Sequence, residues 1–202
     1  MTTATLESIK AFEAKNYDHL LGTPGFSDKL LTNHFKLYQG YVTNTNTVSH
    51  KLKEMDTKAS PPTPEYSELK RRFGWEFNGM RLHEYYFDNM TKETGKVPGA
   101  KFSEAVTQAF GSIDRWKDDF LSTGSLRGIG WVVLYKDPQS GRIFNTWVDE
   151  HALGHLAGCT PLLVLDVFEH AFITDYGLDR KSYLNAFYSA INWETVSKRL
   201  VS

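Results

Sequence analysis

Cysteine is nearly absent from this chain. Cys159 is the only one in 202 residues, which excludes an internal disulfide and a cysteine-built zinc or iron–sulfur centre, and fits a reducing compartment. A surplus of charge is missing too. Lys and Arg total 23 against 24 Asp and Glu, a net charge of −1, so neither nucleic acid nor an acidic membrane surface is an expected partner. No run of about 18 apolar residues occurs, and the start, MTTATLESIKAFEAK, has no basic stretch leading into an apolar one. The expectation is a soluble, cytoplasmic protein that binds something small. With 41% hydrophobic residues the chain has material for a substantial core.

What is present is periodicity. From Ser27 to about Met55, Leu30, Leu31, His34, Leu37, Tyr38, Tyr41 and Val42 recur at helical spacing, with Ser27 and Asp28 as caps. After the Pro-rich stretch KASPPTPEYSEL, residues 69–90 read as a second helix with Phe73, Phe77, Met80, His83 and Phe87 along one side. The two predict a long antiparallel helical hairpin. A second break, MTKETGKVPGAK, divides the chain into an N-terminal helical-hairpin domain, 1–92, and a C-terminal α/β domain, 93–202. Within the latter, FSEAVTQAFGS and SIDRWKDDFLSTG predict short helices, the second opened by Ser112 and closed by Gly124. WVVLYKDPQSGRIFNTWVD then reads as a β-hairpin, TPLLVLDVF as a third, buried strand, and YLNAFYSAI and NWETVSKRL as closing helices. The class is α+β, with a three-stranded antiparallel sheet.

The chemistry concentrates in DVFEHAF, where Asp166, Glu169 and His170 follow the apolar run TPLLVL. A buried charge needs a committed partner. Asp166 and His170 are spaced to grip one ion or, more blandly, to hydrogen-bond each other in the core. His34 and His83 each lie on the apolar face of a predicted long helix; one such histidine is usually an ordinary core residue, but two facing ones together with a buried Asp and His are harder to dismiss. Three imidazoles and one carboxylate suit iron or manganese better than a thiolate-seeking ion, and leave a position open.

DVFEHAF with YLNAFYSAINWETVSKRL resembles the metal-binding signature and closing helices of the iron/manganese superoxide dismutases. TNHFKLYQGYVTNTN, FNGMRLHEYYF, AFGSIDRWKDDF and GIGWVVLY resemble further segments of that family, in the family's order, over residues 25–200; residues 1–22 match poorly. The resemblance implies dismutation of superoxide by one ion per subunit, iron by preference or manganese, held by His34, His83, Asp166 and His170. It also implies a gateway tyrosine. The family places it eight residues after the first histidine, whereas Tyr41 follows His34 by seven, close to two helical turns, so both can still face one site. Leu37 stands where many relatives carry a histidine. The Gln or His that contacts the metal's solvent ligand cannot come from Gly79, and VDEHALGHLAGCTPLL resembles the variant with a later histidine. That makes His151 the candidate and His155 an outer residue. Glu169 resembles the glutamate that crosses to the partner's ligand, implying a homodimer or a dimer of dimers. Phe168 and Phe87 stand where Trp is usual, and Ile173 where an interface Tyr is. Glu84, Lys36 and His19 are expected at the surface. Two other readings stay open: a mononuclear iron oxygenase using two histidines and a carboxylate, and a non-catalytic scaffold of the same fold.

Overall fold

The computed structural model describes residues 10–55 and 62–201. Two long helices come first, α1 (Asp28–Glu54) and α2 (Pro64–Asp88), packed on each other as a helical hairpin. Ser27 caps α1 by accepting the N–H of Leu30, and the face carrying Leu30, Leu31, His34, Tyr38 and Val42 is buried. Leu37 departs from that face and is 37% exposed. The second helix begins five residues earlier than the periodicity suggested. Pro64 sits in its first turn, where its missing N–H costs nothing, and Thr63 accepts the N–H of Tyr66. Of the Pro-rich connection, residues 58–61 lie outside the described residues.

Helices α3 (Ala100–Phe110) and α4 (Ile113–Gly124) follow, the latter capped by Ser112. The sheet comprises β1 (Gly130–Lys136), β2 (Ile143–Asp149) and β3 (Thr160–Asp166), all antiparallel, with β1 in the middle. At Gly130, φ is +152°, and a Cβ would lie 2.1 Å from the Val148 carbonyl oxygen; only glycine lets β1 start beside β2 here. Register matters more than content. Trp131, at the start of β1, pairs with Asp166, at the end of β3, and with Val148, near the end of β2. One end of the sheet therefore delivers an indole, a carboxylate and the 149–153 turn to the same place. A 3₁₀ turn (Glu169–Ala171) and α5 (Ile173–Tyr176) lead into α6 (Arg180–Ser189) and α7 (Trp193–Val201).

One continuous hydrophobic core joins the hairpin to the sheet, running from Leu30 and Phe87 through Trp131 and Leu165 to Phe187. Residues 10–22 are part of it, although their sequence matched the family poorly: Tyr17 and Leu20 are buried. The amide of Asn46 clasps this segment, accepting the Phe12 N–H and donating to the Phe12 carbonyl, both at 2.9 Å. Glu84 is a correction. It is buried rather than at the surface, because it faces α1, where Tyr38 Oη donates to it at 3.0 Å and Arg81 Nη1 at 2.5 Å. Arg81, three residues earlier on the helix, was the available signal. Lys36 and His19 are exposed, as expected.

Candidate metal centre

Four side chains from separate parts of the chain meet between the hairpin and the sheet. His34 comes from α1, His83 from α2, Asp166 from the end of β3, and His170 from the 3₁₀ turn that follows it. Their ligand atoms all lie within 4.8 Å of one another. The Nε2 atoms of His34 and His170 are each 3.2 Å from Asp166 Oδ2, and that of His83 is 3.6 Å away. Asp166 is fixed from behind: its Oδ1 accepts the Phe168 N–H at 2.9 Å, and its carbonyl accepts the Tyr183 hydroxyl at 2.6 Å. Three of the four side chains are fully buried, while His170 is 28% exposed, so within one chain the His170 side is the part of the cluster left uncovered.

His83 shows what this arrangement requires. Its Nδ1–H donates to the Gly79 carbonyl at 2.6 Å. In the neutral ring Nε2 is then a bare lone pair, and it is buried with no hydrogen-bond partner among the described residues. What it faces is a carboxylate oxygen. Two acceptors aimed at each other in a desolvated space repel unless a cation lies between them, so the donor set fits a metal ion. The protonation states agree. Burial holds His34 below the ordinary imidazole value, and burial reinforced by His34 holds His83 well below it. Burial opposes the charged form of Asp166, but the His170 charge and hydrogen bonds from His170 and His34 keep its carboxyl well below the usual carboxylate range. An ionised Asp166 carboxylate and neutral His34 and His83 imidazoles are the forms in which these groups bind metal.

Beside this set stands a hydrogen-bonded chain. Trp131 Nε1–H donates to His151 Nδ1 at 3.0 Å. An indole nitrogen is only a donor, so His151 must accept there and carry its own proton on Nε2. That proton faces Tyr41 Oη at 2.8 Å. Tyr41 therefore accepts, and its O–H remains free to donate elsewhere. Burial lowers the His151 pKa to about 4 and raises that of Tyr41, keeping the imidazole neutral and the phenol protonated. The Tyr41 ring is 5.1 Å from the His83 ring, centre to centre, and the His151 ring is 6.3 Å from it. Gly79 makes this possible, since a Cβ there would lie 2.6 Å from Tyr41 Cδ1. His155 is farther out: its Nδ1 meets Tyr135 Oη at 2.8 Å and its Nε2 the His151 carbonyl at 3.0 Å. Phe168 stacks between His151 and His170, and Phe87 packs against His34, leaving the cage apolar.

The family model described as iron/manganese superoxide dismutases, C-terminal domain, matches residues 98–199. The superoxide dismutase [Fe] of Cupriavidus metallidurans is 37% identical over 181 residues, 88% of this chain and 90% of that protein. The chain belongs to the iron/manganese superoxide dismutase family. A superoxide dismutase [Fe] of Sulfolobus acidocaldarius is 34% identical over 168 residues, covering 81% of this chain and 79% of its own. The superoxide dismutase [Mn] 2 of Haloferax volcanii is 32% identical over 184 residues, 91% of this chain and 90% of that one. The buried cluster of His34, His83, Asp166 and His170 matches the mononuclear site of this dismutase family, whose members use iron or manganese. The chain is an oxidoreductase acting on superoxide. A third converging imidazole separates it from a two-histidine, one-carboxylate oxygenase, and the intact donor set separates it from a scaffold. Among the described residues, no helix is long and apolar enough to cross a membrane.

Proposed function

We propose that this superoxide dismutase works with one iron ion per subunit in preference to manganese, that Tyr41 and His151 manage its protons, and that it acts as a cytoplasmic homodimer or dimer of dimers with Glu169 at the interface. The observation that carries the reading is the bare Nε2 of His83 facing the Asp166 carboxylate at 3.6 Å. When bound, the ion supplies a centre that takes an electron from one superoxide, releasing dioxygen, and returns it to a second, which leaves as hydrogen peroxide after gaining two protons. The Asp166 carboxylate favours the more highly charged state of that centre. His151 offers its Nε2–H and Tyr41 its O–H next to the centre, and their tautomer and protonation are fixed as derived above. Neither drains its proton to solvent at neutral pH, because both are neutral there. Gly79 at one position and His151 at the other support the iron preference. Glu169 is exposed in the turn that carries His170, which supports contact with a second subunit.

Elemental analysis paired with a superoxide-consumption assay tests the reading, first on the native protein and then on apoprotein refilled with each metal. The expected result is one ion per chain and higher turnover with iron; activity restored by manganese alone would overturn the preference. His83→Ala is expected to lose the metal, and His151→Ala to keep it while losing turnover. Wild-type turnover in His151→Ala together with a loss in His155→Ala would exchange the roles of the two histidines.

A further inference from the structure

Helix α2 does more than supply His83: it also grips the turn that carries His151. Asn78 Nδ2 donates to the His151 carbonyl at 2.7 Å, and Trp75, one turn earlier, donates its Nε1–H to Glu150 Oε2 at 3.0 Å. The Trp75 ring lies edge-on to His151 with centroids 4.5 Å apart, and 5.6 Å from Tyr41. Its own position is held from the other side. The Arg72 guanidinium packs over the indole at 4.0 Å, and Arg72 is anchored by the buried Glu76 through contacts of 2.7 and 2.6 Å. Glu150 is an unusual place for such a latch. Among the described residues it is the single non-glycine with positive φ, +48°, a left-handed conformation that side chains other than Asn, Asp or Gly adopt at a cost. Glycine would suit the turn better. A glutamate there needs a reason, and the carboxylate that reaches Trp75 supplies one.

We infer that Trp75 and Glu150 are positioning residues: the Glu150–Trp75 latch, backed by Arg72, fixes the His151 imidazole against Tyr41 and thereby sets how His151 addresses the metal centre. The inference rests on the proposed role of His151. Because the latch is an exposed hydrogen bond, breaking it leaves the fold and the metal ligands intact while loosening the turn.

The test uses metal-loaded protein and measures the midpoint potential of the centre alongside turnover and metal content. Glu150→Ala and Trp75→Phe, which keeps a ring but loses the N–H, are expected to hold full metal, lose turnover several-fold, and shift the potential in the same direction as His151→Ala, by less. The double variant should add little to either single one. Glu150→Gln, whose amide oxygen still accepts from the indole, should recover most of both readouts. Glu150→Gly relieves the left-handed backbone without restoring the acceptor, so it should resemble Glu150→Ala. A wild-type potential and turnover in Glu150→Ala, with His151→Ala shifted, would overturn the latch. Recovery in Glu150→Gly would overturn it too, assigning the effect to backbone strain. An unshifted potential in His151→Ala would overturn the role of His151 itself, and the latch with it.

Discussion

At Gly79 a single methyl group separates two arrangements of the site. The Tyr41 ring lies so flat against α2 that an added Cβ would meet Cδ1 at 2.6 Å and Cε1 at 2.7 Å, far inside van der Waals contact. Gly79→Ala is therefore expected to push Tyr41 off His151 while sparing His83, whose bond is to the backbone carbonyl. Turnover per bound metal should fall on the order of 10- to 100-fold, and a crystal structure of the variant should show the 2.8 Å Tyr41–His151 contact broken. The His151 titration gives a second residue-level prediction. Its folded pKa of about 4 lies below the ordinary value of 6.5. Between those values the unfolded chain binds a proton that the folded chain refuses, so stability falls as pH falls through that window, by about 1.4 kcal/mol per pH unit. Urea midpoints of metal-free wild type and His151→Gln at pH 7 and pH 5 check this, and the wild type should lose more. The cluster of His34, His83, Asp166 and His170 was legible in the sequence because imidazoles and a carboxylate on apolar faces are chemically out of place. The Gly79–Tyr41 seat was not legible, since it depends on how closely two helices approach, and no spacing rule reports that.

Among the elements, the long helices and the hairpin declared themselves by period, and β3 by its unbroken apolar run. Pro64 misled because proline inside a polar stretch reads as a break, while at a first helical turn it is a start. Residues 10–22 carried no period to read, and their order comes from tertiary contacts: the Asn46 clasp on Phe12 and the Lys15 N–H donated to Tyr38 Oη at 3.0 Å. Asn46→Ala leaves two part-buried backbone groups unpaired and is expected to cost about 1–3 kcal/mol, which for a chain of this size lowers Tm by roughly 2–8 °C. Calorimetry of the metal-loaded variant measures it, and turnover below the transition should be retained. The same Tyr38 hydroxyl donates to Glu84, so the segment and the buried acid are joined through one phenol.

At the scale of the molecule, the sheet and the hairpin are two halves of one vise. The sheet register sets Trp131 beside Asp166, the hairpin holds His34 opposite His83, and the ligands meet only when both halves are packed. Each half brings two of the four side chains, and the continuous core that joins the halves positions them without a disulfide. On one side Glu169, Leu126 and Arg180 line an open cleft, with Leu126 49% exposed, and this is the surface on which the proposed second subunit would pack. Light scattering should return at least twice the chain mass, and Glu169→Ala should shift the population toward the monomer; a wild-type monomer at micromolar concentration would contradict the proposed interface. Whether the four side chains share one redox-active ion is decided by anomalous diffraction from metal-loaded crystals at the iron and manganese edges. One peak is expected, enclosed by the Nε2 atoms of His34, His83 and His170 and Oδ2 of Asp166. A peak elsewhere, or a bound ion with any of these four side chains turned away from it, would contradict it.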